Sequence, residues 1–157
     1  MDDGEDRLEA SSRLYFAVLD MWNRRSAADF AALFAEDGNM VGFDGSQVNG
    51  RSAVATHLGE IFASHPTPGY IGKVEELRAL AENVVLVRAI AGLVPPGQGD
   101  IVPALNAIQT LVAARSEEGW AVELFHNTPA QFHGRPQLAE ALTETLRNAL
   151  RASKLGA

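Results

Sequence analysis

Three strand-like segments follow one another in the second half of the chain, and their short connections limit the fold more than any other feature of the sequence. They span residues 84–94, 104–115 and 119–128, and a further strand segment, 70–80, precedes them. No connection among the three is long enough to hold a crossover helix, so neighbouring strands are predicted to be antiparallel. The second half of the chain is therefore predicted to form a sheet.

Helical patterns occupy most of the first half of the chain. Apolar residues recur at helical spacing over residues 7–25, and Ser26 with Asp29 resembles a capping box that opens a short second helix. This second helix is predicted to bury Phe34 and to end at Asp37. Helices followed by a run of strands indicate an α+β fold, with helices on one face of a curved antiparallel sheet.

Three further segments complete the predicted order of elements. Residues 39–43 are a short strand candidate, and residues 52–64 form a third helix with an apolar stripe. A proline suits the first turn of a last helix at 136–153. We therefore predict a single domain over residues 1–157, with a core at about 7–128 followed by the C-terminal helical extension.

Charge and composition exclude several classes of function. The formal net charge is -7, and an acidic surface repels phosphate groups, so neither nucleic acid nor an anionic membrane is expected as a partner. The chain has no cysteine, which excludes disulfides, thiolate metal sites and a cysteine nucleophile. No metal-ligand spacing or phosphate-binding glycine loop is found, so no metal and no cofactor are expected. The sequence shows no secretory signal and no membrane helix, and a cytoplasmic location is expected.

The strand at 119–128 ends in the polar triplet His-Asn-Thr. In regular alternation His126 shares a face with Trp120, whereas Glu123 lies on the other face with Asn127. Because Glu123 carries the only charge on this strand, we assign the His126 face to a cavity. An imidazole there could transfer protons near neutral pH, or it could be a core histidine held by a backbone hydrogen bond. Asn127 would then contact a turn or a dimer partner.

Other polar residues offer alternative site chemistry. Asn106 and Gln109 lie an odd number of residues apart, so only one of them can face a cavity from a regular strand. Arg88 interrupts a β-branched strand as a buried ion pair, an anion anchor or a charge on a dimer face. His57 borders the apolar stripe of its helix. Asp44 is a candidate base, although its position beside glycine is also explained by turn formation.

The order of several short motifs is informative. Met21-Trp22-Asn23 is followed by the segment DFAALFAEDG at 29–38 and by Gly50-Arg51 at the start of a helix. This order resembles the SnoaL-like proteins of the nuclear transport factor two-like superfamily, over about residues 14–128. The hairpin end at 119–128 resembles the SgcJ/EcaC branch in particular, some of whose members occur in enediyne antibiotic biosynthesis.

The resemblance implies a cone-shaped fold, in which helices on the concave face of a curved sheet enclose one apolar cavity. It also implies a homodimer formed through the outer face of the sheet. The superfamily includes ketosteroid isomerases, polyketide cyclases, epoxide hydrolases, dehydratases and binding proteins, so it leaves the activity open. Its isomerases and cyclases use a carboxylate whose pKa is raised in an apolar site.

We therefore predict a small-molecule pocket protein of bacterial secondary metabolism that binds or acts on an apolar polyketide-like intermediate, such as one of an enediyne pathway. As a cofactor-independent isomerase, cyclase or hydrolase, it would transfer a proton through His126 and orient an oxygen with Asn106 or Asn127. The alternative is a non-catalytic carrier or self-protection protein with the same cavity. The predicted catalytic residues are His126, Asn127 and Asp44, and the predicted pocket-lining residues are Tyr15, Trp22, Phe34, Met40, His57, Phe62, Arg88, Asn106 and Trp120.

Overall fold

The elements of the fold were assigned in a computed structural model, which describes residues 3–155. Within that range, helices and strands alternate in the first half, and strands dominate the second half until a final helix. In chain order the elements are α1 (Asp3–Asn23), α2 (Ala27–Ala32), β1 (Phe34–Val41), β2 (Gln47–Asn49), α3 (Arg51–Ser64), β3 (Gly69–Ala81), β4 (Val84–Val94), a 3-10 turn (Pro103–Leu105), β5 (Ala107–Ser116), β6 (Gly119–Pro129) and α4 (Pro136–Leu155).

The strands form one sheet in the order β2-β1-β6-β5-β4-β3. Strands β3 to β6 are antiparallel neighbours, as the short connections predict, and the α+β class is confirmed. Strand β1, however, lies parallel to β6. The sheet is therefore mixed, with one parallel pair among otherwise antiparallel neighbours. The chain can place β1 parallel to β6 because α3 and four strands separate the two in sequence, which is ample length for a crossover.

The first helix-to-strand boundary also differs from the prediction. Ser26 caps α2 as expected, since its hydroxyl accepts a hydrogen bond from the Asp29 amide at 3.4 Å and donates one to the Asp29 carboxylate at 2.9 Å. The helix then ends early, and Phe34 opens β1 instead of extending α2. The Val122 amide donates to the Leu33 carbonyl at 2.9 Å. From this point the chain pairs with β6, although the spacing of its apolar residues is that of a helix.

The inner face of the sheet carries the main core. Val85, Val87 and Ala89 alternate along β4 toward this face, and they belong to the same buried cluster as Tyr15 and Val18 of α1. All five side chains are 0% exposed. Helices α2 and α3 add further apolar residues to this cluster. The first three helices therefore cover one face of the sheet, as predicted.

Helix α4 packs on the opposite, outer face of the sheet. Ile90 points away from the main core and forms a second cluster with Ile101 and Leu146, the latter fully buried. Gly92 leaves room for this cluster, since a Cβ atom there would lie only 3.0 Å from the Ile101 side chain and 3.4 Å from that of Leu146. Arg147 forms a salt bridge with Asp100 at 3.1 Å. The C-terminal helix thus covers one end of the outer sheet face.

Candidate functional site

A cavity of about 430 Å³ lies between the first three helices and the inner face of the sheet. Its volume falls within the range of roughly 300–1,000 Å³ that is typical of small-molecule sites. A larger depression of about 550 Å³ beside residues 129–135 is more open to solvent. The wall of the enclosed cavity is mainly apolar, with Trp22, Phe30, Met40, Leu58, Ile61 and Phe125 among its residues.

The inner wall of the cavity contains an ordered chain of hydrogen bonds that links four side chains. The Tyr15 hydroxyl donates to Gln109 Oε1 at 2.6 Å, and Gln109 Nε2 donates to Asn127 Oδ1 at 3.2 Å. Asn127 Nδ2 then donates to the Tyr70 hydroxyl at 2.7 Å. Tyr15 and Gln109 are fully buried, whereas Asn127 and Tyr70 border the cavity. The chain therefore connects the core to the polar part of the pocket.

Burial shapes the chemistry of both tyrosines. Desolvation raises the pKa of Tyr70, although the hydrogen bond from Asn127 opposes this rise. Burial also raises the pKa of Tyr15, and the nearby Tyr70 phenol adds to that effect. Both phenols consequently remain protonated at physiological pH. They are hydrogen-bond donors and acceptors there, and they carry no charge.

The C-terminal end of α1 holds Tyr70 in place. Asn23 Oδ1 accepts from the Tyr70 amide at 2.7 Å, and Asn23 Nδ2 donates to the Tyr70 carbonyl at 3.0 Å. Trp22 Nε1 donates to the Pro68 carbonyl at 2.9 Å, and its indole lies 5.4 Å from the Tyr70 ring. Arg25 binds the Thr67 hydroxyl at 2.7 Å. These contacts position the Tyr70 backbone and ring from one short stretch of sequence.

Asp44 and His57 lie together at one side of the cavity. Asp44 is exposed and belongs to the turn between β1 and β2, and His57 is a half-buried residue of α3. Hydrogen bonds from the Ser46 amide and hydroxyl lower the pKa of Asp44, with a smaller contribution from the charge of His57. A desolvated general base needs the opposite shift, so Asp44 does not have the environment expected of an isomerase-type carboxylate.

The assignment of His126 to the cavity is wrong, because β6 contains a bulge. Val122 pairs with Ala113, and Leu124 pairs with Val112, which leaves Glu123 as an extra residue. The extra residue reverses the alternation, so that Phe125 and Asn127 face inward while His126 is exposed on the outer face. Asn127 is 6% exposed and faces the cavity, which corrects its assignment to a turn or a dimer contact.

Three predicted lining residues lie elsewhere. Arg88 is on the outer face, where it pairs with Glu76 at 3.1 Å, so its assignment to the pocket wall is wrong. Trp120 lies at the other end of β6 from Asn127 and stacks 5.2 Å from the Arg115 guanidinium, away from the cavity. Asn106 is also misassigned, because it directs its amide toward α4.

The Asn106 amide donates to the Thr143 hydroxyl of α4 at 2.9 Å. The sequence left open which of Asn106 and Gln109 lies on the inner face of the sheet. In the structure it is Gln109. Two predicted lining residues, Phe34 and Tyr15, are packed in the core at 1% and 0% exposure, and Tyr15 reaches the pocket only through Gln109. Phe62 lies behind Trp22, at 5.2 Å between ring centroids. Trp22, Met40 and His57 are on the cavity wall itself.

Tyr70 is a polar cavity residue that the sequence did not predict. It follows the break His-Pro-Thr-Pro-Gly and is the first aromatic residue of β3. A tyrosine at the start of a strand, with its polar end available, is a recognisable signal. Its partner Asn127 lies 57 residues away, however, so no local pattern connects the two.

The described residues 3–155 contain no group of three histidine, aspartate or glutamate side chains arranged to hold a metal ion. In the same range, no helix combines the length and the apolar character needed to cross a membrane. The polar side chains that line the cavity are Tyr70 and Asn127, which are hydrogen-bonded to each other, and Asp44 and His57.

Comparison with known proteins identifies the fold. No family model and no curated protein matches the chain. Among solved structures, a domain of unknown function with a cystatin-like fold from Nostoc punctiforme matches with a TM-score of 0.74 and 23% identity, over 95% of this chain and 96% of that one.

Two further matches carry functional descriptions. A ketosteroid isomerase-like protein from Erwinia carotovora atroseptica has a TM-score of 0.62 at 17% identity, over 79% of this chain and 96% of that one. A protein from Streptomyces avermitilis, provisionally described as a dehydratase of the NTF2-like family, has a TM-score of 0.66 at 17% identity, over 82% and 99%. At these identities the likeness shows a shared NTF2-like fold and leaves the activity open.

Proposed function

We propose that this chain is a small-molecule pocket protein whose ligand occupies the cavity between the first three helices and the sheet. The observation that carries the proposal is the combination of a mainly apolar cavity of about 430 Å³ with the polar pair Tyr70 and Asn127 on its inner wall. Apolar walls supply binding free energy, and a few converging polar groups orient the ligand. The ligand is therefore apolar over most of its surface.

We further propose a role in bacterial secondary metabolism, with an apolar polyketide-like intermediate as the ligand. Two features support this choice. The cavity suits a ring system that carries few oxygens, and the fold is shared with a ketosteroid isomerase-like protein and with the Streptomyces protein described above. The link to an enediyne pathway rests on the sequence resemblance to the SgcJ/EcaC branch. The cytoplasmic location expected from the sequence stays a prediction.

Catalysis is the second candidate function, and His57 favours it. Its imidazole is on the cavity wall beside Asp44, where it could exchange a proton with a bound molecule. Binding without chemistry is favoured by the lowered pKa of Asp44. The two functions separate when a ligand is recovered after incubation. A carrier returns it unchanged, whereas an enzyme converts it and loses most of its turnover in His57→Gln.

Filling the cavity should weaken ligand binding. Ile61 is half-buried on α3 and lines the cavity, so Ile61→Trp places an indole in the space of the ligand. We expect the affinity for a neutral naphthalene fluorophore, measured by fluorescence titration, to fall by about tenfold or more, equivalent to about 1.4 kcal/mol. Thr56→Trp is the matched control, because Thr56 is exposed on the same helix. Equal affinity in both variants would remove the cavity as the binding site.

We also propose that two copies associate through the outer face of the sheet. Leu86, Val112 and Leu124 are cross-strand neighbours on β4, β5 and β6, and they form an aliphatic row on that face. Arg88 and the exposed His126 belong to the same face. Helix α4 covers only the end near Ile90, so the aliphatic row is left for a second copy.

A charge placed in this row should separate the dimer. Val112→Glu introduces a carboxylate between Leu86 and Leu124, and a buried unpaired charge is strongly unfavourable at a subunit interface. We expect light scattering to show a dimer for the unmodified chain and a monomer for the variant. Glu117→Gln, in the exposed hairpin turn, is the control and should leave the dimer intact. A monomeric unmodified chain would refute the proposed interface.

A further inference from the structure

The direction of the hydrogen-bond chain beside the cavity identifies the kind of group that a ligand must present. Each tyrosine hydroxyl can donate or accept, and each amide can be turned over, so the chain has two alternative directions. In one, Tyr15 donates first and the chain ends on the Tyr70 oxygen. In the other, Tyr70 donates first and the chain ends on the Tyr15 oxygen. The two directions leave the unused hydroxyl hydrogen at opposite ends.

Burial decides between the two directions. If the chain ended on Tyr15, its hydroxyl hydrogen would need another acceptor, and in the described part of the chain Tyr15 contacts only Gln109 by a hydrogen bond. Tyr15 is 0% exposed, so no solvent reaches that hydrogen. An unpaired donor in the core carries its full desolvation penalty. The opposite direction, which the structure shows, instead leaves the free hydrogen on Tyr70, at the cavity wall.

The inner wall of the cavity therefore presents donors. Tyr70 accepts from Asn127 and keeps its own O–H for another partner. Asn127 Nδ2 uses one hydrogen for Tyr70 and has a second one, and Asn127 also lines the cavity. Successive hydrogen bonds polarise one another, which strengthens the donors of the chain. A group bound here must accept hydrogen bonds and need not donate any.

The Asp44 carboxylate limits the charge of the ligand. Asp44 is the only carboxylate among the cavity residues of the described chain, and hydrogen bonds from Ser46 favour its ionised form. A carboxylate or phosphate on the ligand would be repelled by this charge. The remaining wall is apolar, with aromatic rings from Trp22, Phe30 and Phe125. The ligand is accordingly uncharged, apolar and able to accept hydrogen bonds at its inner end.

Resting on the proposed pocket function, we infer that the ligand is a neutral, mainly apolar carbonyl compound, a ketone or a quinone, whose oxygen accepts hydrogen bonds from Tyr70 and Asn127. An alcohol or phenol fits less well, because the two acceptors on this wall, the Tyr70 hydroxyl oxygen and Asn127 Oδ1, are each already bonded to one donor. A pure hydrocarbon leaves both donors unpaired. Among ligands of one shape, a carbonyl compound should therefore bind more tightly than an alcohol, a phenol or a hydrocarbon.

Matched naphthalene probes test this ranking. Acetylnaphthalene and ethylnaphthalene have nearly the same shape and differ in a carbonyl group. In Tyr70→Phe we expect the affinity for acetylnaphthalene to fall by about tenfold, the loss that one directed hydrogen bond supports, and the affinity for ethylnaphthalene to change by less than about twofold. The infrared carbonyl band of bound acetylnaphthalene should lie at lower frequency with the unmodified protein than with Tyr70→Phe.

A second variant reverses the donor. Asn127→Asp has nearly the same volume but offers only acceptors when ionised, so the Tyr70 hydroxyl would donate to it and turn its hydrogen away from the cavity. We expect this variant to prefer naphthol over acetylnaphthalene, the reverse of the unmodified protein. Circular dichroism checks that both variants are folded.

The outcomes separate the two proposals. If neither probe binds the unmodified protein, the pocket function itself is refuted. If both probes bind but Tyr70→Phe weakens them equally, or leaves acetylnaphthalene unaffected with no change in its carbonyl band, the carbonyl inference is refuted while the pocket function stands. A stronger affinity of the unmodified protein for naphthol than for acetylnaphthalene would likewise overturn the inference.

Discussion

Gly38→Ala is expected to be the most destabilising addition of a single methyl group to this chain, with a loss of about 3 kcal/mol or more in the free energy of unfolding. A Cβ atom at Gly38 would clash with the backbone carbonyl oxygen of Val122, in the neighbouring strand β6. It would also lie 3.1 Å from the Ala35 carbonyl oxygen and 3.2 Å from the Phe34 ring. Backbone cannot move aside as a flexible side chain can, so β1 would have to separate from β6.

The separation of these strands should also affect the pocket, because β1 contributes Met40 and β6 contributes Asn127 to its wall. Urea unfolding followed by tryptophan fluorescence measures the loss. Gly59→Ala is the matched control, since Gly59 lies in α3 and a Cβ atom there meets nothing within 4 Å. Alanine in a helix interior is favoured over glycine by about 0.5–1 kcal/mol, so the control should be stabilised. Equal stability of the two variants would contradict the close approach of β1 to β6.

Leu146→Ala is expected to have the second largest effect, through the docking of α4. Leu146 is 0% exposed and packs against Ile90 and Ile101 on the outer sheet face. Truncating a buried leucine removes apolar contact and leaves a cavity, which together cost about 3 kcal/mol. The salt bridge from Arg147 to Asp100 is exposed and contributes much less.

Urea unfolding and limited proteolysis measure the result for Leu146→Ala. We expect a lower unfolding midpoint and faster cleavage within α4. Leu138→Ala is the control on the same helix, because Leu138 is 38% exposed and its truncation should change stability by less than about 0.5 kcal/mol. If the two truncations were equally mild, α4 would not be anchored by the Leu146 cluster.

The sheet could be predicted from the sequence because its signals are local. Short turns connect β3 to β4 and β5 to β6, and a turn of two or three residues leaves the flanking strands no choice but to pair. The pairing of β1 with β6 could not be predicted in this way. It joins segments more than 80 residues apart, for example Phe34 with Val122, and no local pattern encodes that contact.

The site was harder to predict than the fold, and Glu123 shows why. A charged residue on a strand is normally read as facing solvent, and Glu123 is indeed exposed. As the extra residue of a bulge, however, it shifts the alternation of everything after it. Regular alternation therefore predicts that His126 faces the cavity and Asn127 faces outward, which is the reverse of the structure. Bulges depend on cross-strand register, which a single segment does not reveal.

The two hydrogen bonds between Asn23 and the Tyr70 backbone also affect the tendency of the protein to aggregate at high concentration. Strand β3 is the last strand of the sheet, so one of its sides has no strand partner. Backbone groups on such an edge can recruit a strand from another molecule and begin aggregation. Asn23 occupies both the N–H and the C=O of Tyr70, and Arg7 at the other end of α1 binds the Glu82 carbonyl beyond the strand. The helix that positions Tyr70 therefore also occupies backbone groups near both ends of this edge, which leaves fewer of them to pair with a strand from another molecule.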